Sequence, residues 1–147
     1  MAALGFLPPG PVVDIGAGSG MWSSALAAWT RRPVVAVEPS AGMRAEALHI
    51  RRGPPVHQVG GVAGALSLRD GSGAAAWLST VIHHVGDIGR CARELRRVLA
   101  PGAPVLIRSA FPGRHDGVEL FRFFPAARRV AERFPSVEVV TTAFQGA

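Results

Sequence analysis

The chain alternates short apolar runs with longer stretches in which apolar residues recur at helical spacing. Val12-Val13-Asp14-Ile15 is largely β-branched and ends in glycines, the pattern of a buried strand. Residues 21–31 follow, with Trp22, Ala25, Leu26 and Trp29 on one helical face. Val34 to Val37 predicts a second strand, closed by Glu38-Pro39. Ser40 is a suitable cap for a helix running to about Arg52, with Met43, Ala47 and Ile50 facing inward, and Pro54-Pro55 breaks it. Val56 to Val59 predicts a third strand. Ala74 to Val81 predicts a fourth, uncharged throughout and so buried on both faces.

Asp87 then caps a helix whose Ile88, Cys91, Leu95, Val98 and Leu99 share one apolar face. Arg90, Arg93, Glu94 and Arg97 lie on its polar side, where Arg90 and Glu94 are spaced to pair. Pro101-Gly102 stops the helix, and Val105 to Ile107 predicts a fifth strand. Val118 to Phe124 has a helical period, Pro125 opens another helix, and Val130 and Phe134 are spaced along it. Residues 136–145 are ambiguous. Their valines favour a strand, but Ser136 as cap with Val137, Val140 and Phe144 gives a helical face. Alternation of this kind predicts an α/β fold in a single domain over residues 1–147. The expected form is Rossmann-like and doubly wound: a mostly parallel five-stranded sheet with helices on both faces. A ligand on such a sheet sits beyond the carboxyl ends of the strands, near the switch point.

Composition narrows the function classes. The 147 residues are 48% hydrophobic and 18% charged, which excludes a disordered chain or a coiled coil. No apolar run approaches the ~20 residues of a membrane helix, and Met1 to Leu7 lacks the basic start of a signal peptide. The expectation is a cytoplasmic protein that does not engage a membrane. Cys91 is the sole cysteine, so neither an intramolecular disulfide nor a cysteine-based zinc site can form, and no metal-ligand spacing is present elsewhere. Lysine is absent and all 16 basic residues are arginine, giving a net charge of +6. The arginines fall in scattered pairs, Arg31-Arg32, Arg51-Arg52, Arg96-Arg97 and Arg128-Arg129, without interleaved aromatics. That favours a solvated surface over a nucleic-acid face.

The chemistry is concentrated in Asp14-Ile15-Gly16-Ala17-Gly18-Ser19-Gly20. Glycines at the end of a first strand allow a tight turn and let a ligand lie against the backbone. One acid, Asp14, lies inside the strand end. A second, Glu38, ends the next strand at the distance where carboxylates hold ribose hydroxyls. A dinucleotide fingerprint needs a third glycine in G-x-G-x-x-G spacing, and that position is Met21 here. Asp14 would repel a phosphate but suits a ligand bearing an ammonium and a sulfonium. The chemistry points to S-adenosylmethionine rather than NAD.

On these residues the chain resembles the class I S-adenosylmethionine-dependent methyltransferases of the small-molecule type. Val12 to Gly20 resembles their first motif, Val35 to Met43 their second, Leu78 to Val85 the end of their fourth strand, and Glu94 to Gly102 the helix and turn before the fifth. The resemblance implies methyl transfer to a small-molecule acceptor, with S-adenosylmethionine as cofactor. It implies that Glu38 binds both ribose hydroxyls, and that Asp14 and the backbone of Gly16, Gly18 and Gly20 hold the methionine part. It also implies that Met43 packs on the adenine and that the backbone near Ser79 meets the amino group. His83 and His84 fall where the fourth strand meets the cleft. His84 is the favoured general base, the alternative being that these rings only pack under the loop or line the pocket. His115 and Asp116 are candidate pocket residues or a loop cap.

The chain also departs from the family pattern. Gly61 stands where the family has an adenine-binding Asp, no Asp opens the fourth strand, and both ends are short beside the family. Against the family pattern, a covering N-terminal segment and the last two strands are missing. The sheet would then invite completion by a second copy or a partner chain. The other reading is a degenerate relative that binds a ligand or partner without transferring methyl groups.

Overall fold

The structure is a computed structural model describing residues 7–49, 54–114 and 118–146. Strands β1 (Val12–Ile15), β2 (Val34–Val37), β3 (Val56–Val59), β4 (Ala75–Ser79) and β5 (Val105–Arg108) form one sheet in the order β3-β2-β1-β4-β5. All four pairings are parallel, with Asp14 level with Ala36 on one side and Trp77 on the other. The chain runs outward from β1 to β3 and then returns to β4 on the other flank of β1. The switch point therefore lies between β1 and β4, which opens a crevice at their carboxyl ends.

Helices cover both faces: α1 (Met21–Thr30) on one, α3 (Ile88–Val98) and α6 (Val137–Gln145) on the other. All of β1 is buried, as expected of a strand covered on both faces. Its alternate residues serve two cores. Val13 and Ile15 join Ala76, Leu78, Cys91, Leu95 and Val140, whereas Val12 joins Val34, Ala75, Leu26 and Ala27. Arg32 ties the N-terminal segment to this second core, donating to the carbonyls of Leu7 at 2.9 Å and Pro8 at 2.6 Å. Helix α2 (Ala41–Ala47) follows β2, and α4 (Glu119–Phe123) and α5 (Pro125–Ala131) lie between β5 and α6.

The predicted caps form. Ser40 accepts from the Met43 N–H at 3.3 Å, Asp87 from Arg90 at 2.8 Å and Ser136 from Val139 at 3.3 Å. The last of these resolves 136–145 as a helix, because the cap and the buried Val140 outweigh the strand preference of the valines.

Four expectations are corrected. The second helix ends at Ala47 rather than near Arg52, and Ile50, Arg51 and Arg52 lie outside the described residues. Met43 does not face inward but is half exposed. Trp29 is 64% exposed, because Ser23, Leu26 and Ala27 set the buried face of α1. Glu94 pairs with Arg97, not Arg90. Arg97 donates to both Glu94 oxygens and to the carbonyls of Leu66 and Leu68, so it pins the 66–68 segment to α3. Arg90 turns instead to the carbonyl of Gly64 at 2.8 Å.

Candidate active site

The glycine loop has the backbone its sequence requires. Gly16, Gly18 and Gly20 all have positive φ, at 67°, 57° and 82°, where a Cβ is strained. Each occupies a different setting. A Cβ on Gly16 would overlap the side chain of Val81, whereas one on Gly18 would meet nothing within 4 Å. Gly16 thus lets β1 pass beneath the β4 loop, and Gly18 leaves open space for a ligand. Gly20 stands at the N-cap of α1 without a side-chain cap, so the first turn presents N–H groups to an incoming anion.

Glu38 closes this loop from the end of β2. Its Oε2 accepts from the Gly18 N–H at 3.0 Å and its Oε1 from the Ser40 N–H at 2.9 Å. Arg44 holds the backbone beneath, donating to the carbonyls of Glu38 at 2.7 Å and Pro39 at 2.8 Å. Glu38 is therefore oriented before any ligand arrives.

Asp14 sits deeper. It is only 2% exposed, points to the α1 side and accepts from the Ser23 hydroxyl at 2.6 Å. Burial lifts its carboxyl to about 6, the Ser23 hydrogen bond opposes this, and the neighbouring Glu38 charge adds to it. Asp14 lies at the base of the loop, its carboxylate buried against Ser23.

A cleft of ≈390 Å³ opens on the α3 face of the sheet, beside the loop. Gly16, Val37, Gly61 and Val62 line one part of it, and His84 and Arg90 another. Gly61 follows β3 with φ outside the left-handed region, and a Cβ there would come 3.2 Å from Val37 Cγ1. His84 is exposed at the end of a short 3₁₀ turn (Ile82–His84), its ring centroid 4.1 Å from that of His83. His83 stacks in turn on Phe134, and burial together with His84 lowers its pKa.

Of the predicted site residues, Gly16, Gly61 and His84 line the cleft, Gly18 and Glu38 are paired in the adjoining loop, and Gly20 is buried at the start of α1. The structure buries Asp14 at the base of that loop and leaves Met43 exposed on α2, outside the cleft lining. Ser79 ends β4 with its hydroxyl accepting from Arg108 at 3.1 Å. His115 and Asp116 lie outside the described residues. Burial pushes the Cys91 thiol up to about 11, which makes it a poor nucleophile. Among the described residues, no cluster of three or more His, Cys, Asp or Glu could hold a metal, and no helix is long and apolar enough to cross a membrane. Two features escaped the sequence reading. Ser23 gave no signal as the partner of Asp14. Arg108 ends β5 with nothing in its local sequence to mark it.

A methyltransferase domain family matches residues 13–107, from β1 into β5. The chain belongs to the class I S-adenosylmethionine-dependent methyltransferases. It is similar to dimethylglycine N-methyltransferase of Parasynechococcus marenigrum, with 34% identity over 82% of this chain and 44% of the relative. Among solved structures, it is similar to a candidate methyltransferase from an antibiotic biosynthesis pathway of Anabaena variabilis. That likeness has a TM-score of 0.79 and 31% identity, and covers 99% of this chain and 58% of the other. It is also similar to an S-adenosylmethionine-dependent methyltransferase of Thermotoga maritima, with a TM-score of 0.71, 28% identity, and coverage of 96% and 64%. The methyltransferase chain thus spans about half the length of the curated relative, and less than two thirds of either structure.

Proposed function

We propose that this chain binds S-adenosylmethionine in the crevice between β1, β2 and β4 and transfers its methyl group to a small molecule. The observation that carries this reading is the pairing of Glu38 with the Gly18 N–H across a left-handed glycine loop. A preset carboxylate beside open backbone suits a ribose diol. The apolar part of the cleft near Val37 and Val62 suits an adenine. The field of Asp14 favours the cationic end of the ligand.

The cofactor supplies an electrophilic methyl on a sulfonium. The chain's own contribution is positioning, which accelerates a transfer of this type. In this reading His84, at the cleft lining on the α3 face, serves as base only for an acceptor that enters from that face. The similarity to an N-methyltransferase of dimethylglycine favours a small amine as acceptor.

Isothermal titration with S-adenosylmethionine and S-adenosylhomocysteine tests the assignment, and absence of heat with both would remove it. Glu38→Gln should weaken S-adenosylhomocysteine binding by about ten- to a hundredfold, since hydrogen bonds to a charged group contribute about 1.5–3 kcal/mol. An affinity unchanged within twofold would place the ribose elsewhere.

Gly61→Asp tests the adenine end. An acid there would accept a hydrogen bond from the exocyclic amine and tighten binding by about fivefold or more. Because the φ of Gly61 lies outside the left-handed region and only Val37 must give way slightly, the ligand-free melting temperature should change little. An unchanged melt without tighter binding would show that the adenine does not lie against residue 61, and would favour the degenerate reading.

A further inference from the structure

We propose that Arg108, standing over Trp22 at the carboxyl ends of β4 and β5, forms a carboxylate-binding subsite that sets this methyltransferase's preference for an acceptor bearing a carboxylate. Ser79 and Arg108 are level in the sheet, in the same alternation as Trp77 and Leu106. That places the pair on the α1 face, away from the cleft that Gly61 and His84 line on the α3 face.

The guanidinium is oriented from two directions. Its Nη1 donates to the hydroxyls of Ser79 at 3.1 Å and Thr80 at 3.4 Å. Its Cζ lies 5.6 Å from the ring centroid of Trp22, which itself packs against Trp77 at 5.5 Å. A guanidinium fixed along one edge and one face keeps other donors for a planar anion, the geometry that suits a carboxylate.

Other arginines near the crevice are already used by the chain. Arg97 holds Glu94, Arg44 the carbonyls of Glu38 and Pro39, and Arg90 the carbonyl of Gly64. Arg108 is exposed, and among the described residues no carboxylate lies in ion-pair contact with it. A second observation points the same way. Thr80 has φ 58°, an outlier for a β-branched residue. Its N–H continues the β4–β5 ladder to the Arg108 carbonyl at 2.7 Å, and its hydroxyl lies 3.4 Å from Nη1 of the Arg108 side chain. Strain held at a strand end beside a switch point is characteristic of functional sites. Trp22 is also the second residue of α1, so the guanidinium stands beside the helix end that favours anions.

Two carboxylates have this chemistry: that of the acceptor and the α-carboxylate of the cofactor. The proposal rests on the methyl-transfer reading for the identity of the ligand, but not for the existence of the site. The test uses tryptophan emission, because Trp22 lies beneath the guanidinium. N,N-dimethylglycine and acetate are titrated into the full chain with and without S-adenosylhomocysteine, and N,N-dimethylaminoethanol serves as the amine lacking a carboxylate. The two carboxylates should change the emission saturably and the amino alcohol should not. Arg108→Ala should weaken the response about tenfold or more, and Arg108→Lys should retain part of it.

A loss of tenfold or more in S-adenosylhomocysteine affinity, with 5′-methylthioadenosine unaffected and the response to N,N-dimethylglycine unchanged, would assign the subsite to the cofactor's carboxylate and overturn the acceptor preference. The proposal is overturned if Arg108→Ala, with an unchanged melting temperature, binds every one of these ligands as the wild type does. Should Arg108→Ala not fold, Arg108→Lys and Arg108→Gln decide the matter by the same criterion. If the wild type binds neither adenosyl ligand, the methyl-transfer reading fails, while the carboxylate titration without cofactor still decides this site.

Discussion

Gly16→Ala is expected to destabilise the chain by about 3 kcal/mol or more, lowering its melting temperature by about 10 °C, as measured by urea and thermal unfolding. Two independent costs combine. An alanine at φ 67° carries the left-handed penalty of about 1–2 kcal/mol. Its Cβ would also overlap Val81 Cγ2 and lie 2.9 Å from Val81 Cβ. Overpacking of this kind costs about 1–3 kcal/mol. The Gly16 N–H donates to the Val37 carbonyl at 2.8 Å, so the loop cannot simply swing away without losing its link to β2. Adding Val81→Ala removes the Cγ2 overlap but keeps the Cβ at 2.9 Å, so it should recover only part of the loss and leave more than the backbone penalty of about 1–2 kcal/mol. A single variant as stable as wild type within 1 kcal/mol would show that the loop has another conformation available.

Asp14→Asn is expected to act in the opposite direction and to stabilise the ligand-free chain at neutral pH. The folded pKa of Asp14 is raised from 3.8 to about 6, chiefly by burial. Between these values the folded state binds more protons than the unfolded one, so stability falls as pH rises through that window. The full difference is worth about 3 kcal/mol above pH 6 and vanishes below about pH 4. Asparagine keeps an oxygen to accept from Ser23 and carries no charge to desolvate. The variant should therefore melt several degrees higher at pH 7.5 and match the wild type at pH 4. It should also bind S-adenosylmethionine more weakly, because the negative field beneath the loop is gone. A variant less stable than wild type at pH 7.5 would mean that the carboxylate is held by contacts other than Ser23. Retaining an acid at a cost to folding is what a site built for a cationic ligand requires.

Much of this architecture follows from chemistry that is local along the chain. A parallel strand covered on both faces must be apolar and is favoured by β-branching, so Val12–Ile15, Val34–Val37 and Val56–Val59 are legible with their bounds. Ser40, Asp87 and Ser136 mark helix starts because a short oxygen-bearing side chain satisfies the N–H three residues on. Gly16, Gly18 and Gly20 announce left-handed backbone because other residues resist it. The placement of Glu38 beside Gly18 follows once two strands are known to be adjacent and parallel.

Other features depend on which surfaces meet. Met43 and Trp29 look like core residues by period, yet they are 50% and 64% exposed. Arg90 and Glu94 have the spacing of a helical pair, but the Leu66–Asp70 segment crossing α3 offers Arg97 carbonyls as well as Glu94, and the larger network prevails. The Ser23 hydroxyl reaches Asp14 only because α1 packs against the end of β1. Arg108 and Trp22 are far apart in the chain and neither has a local motif. Only the pairing of β5 with β4, and the seating of α1 on the same face, bring a guanidinium over an indole. Backbone preference is a property of each residue and its neighbours, whereas burial and side-chain pairing are properties of the packed surfaces, which exist only when the sheet and its helices are assembled.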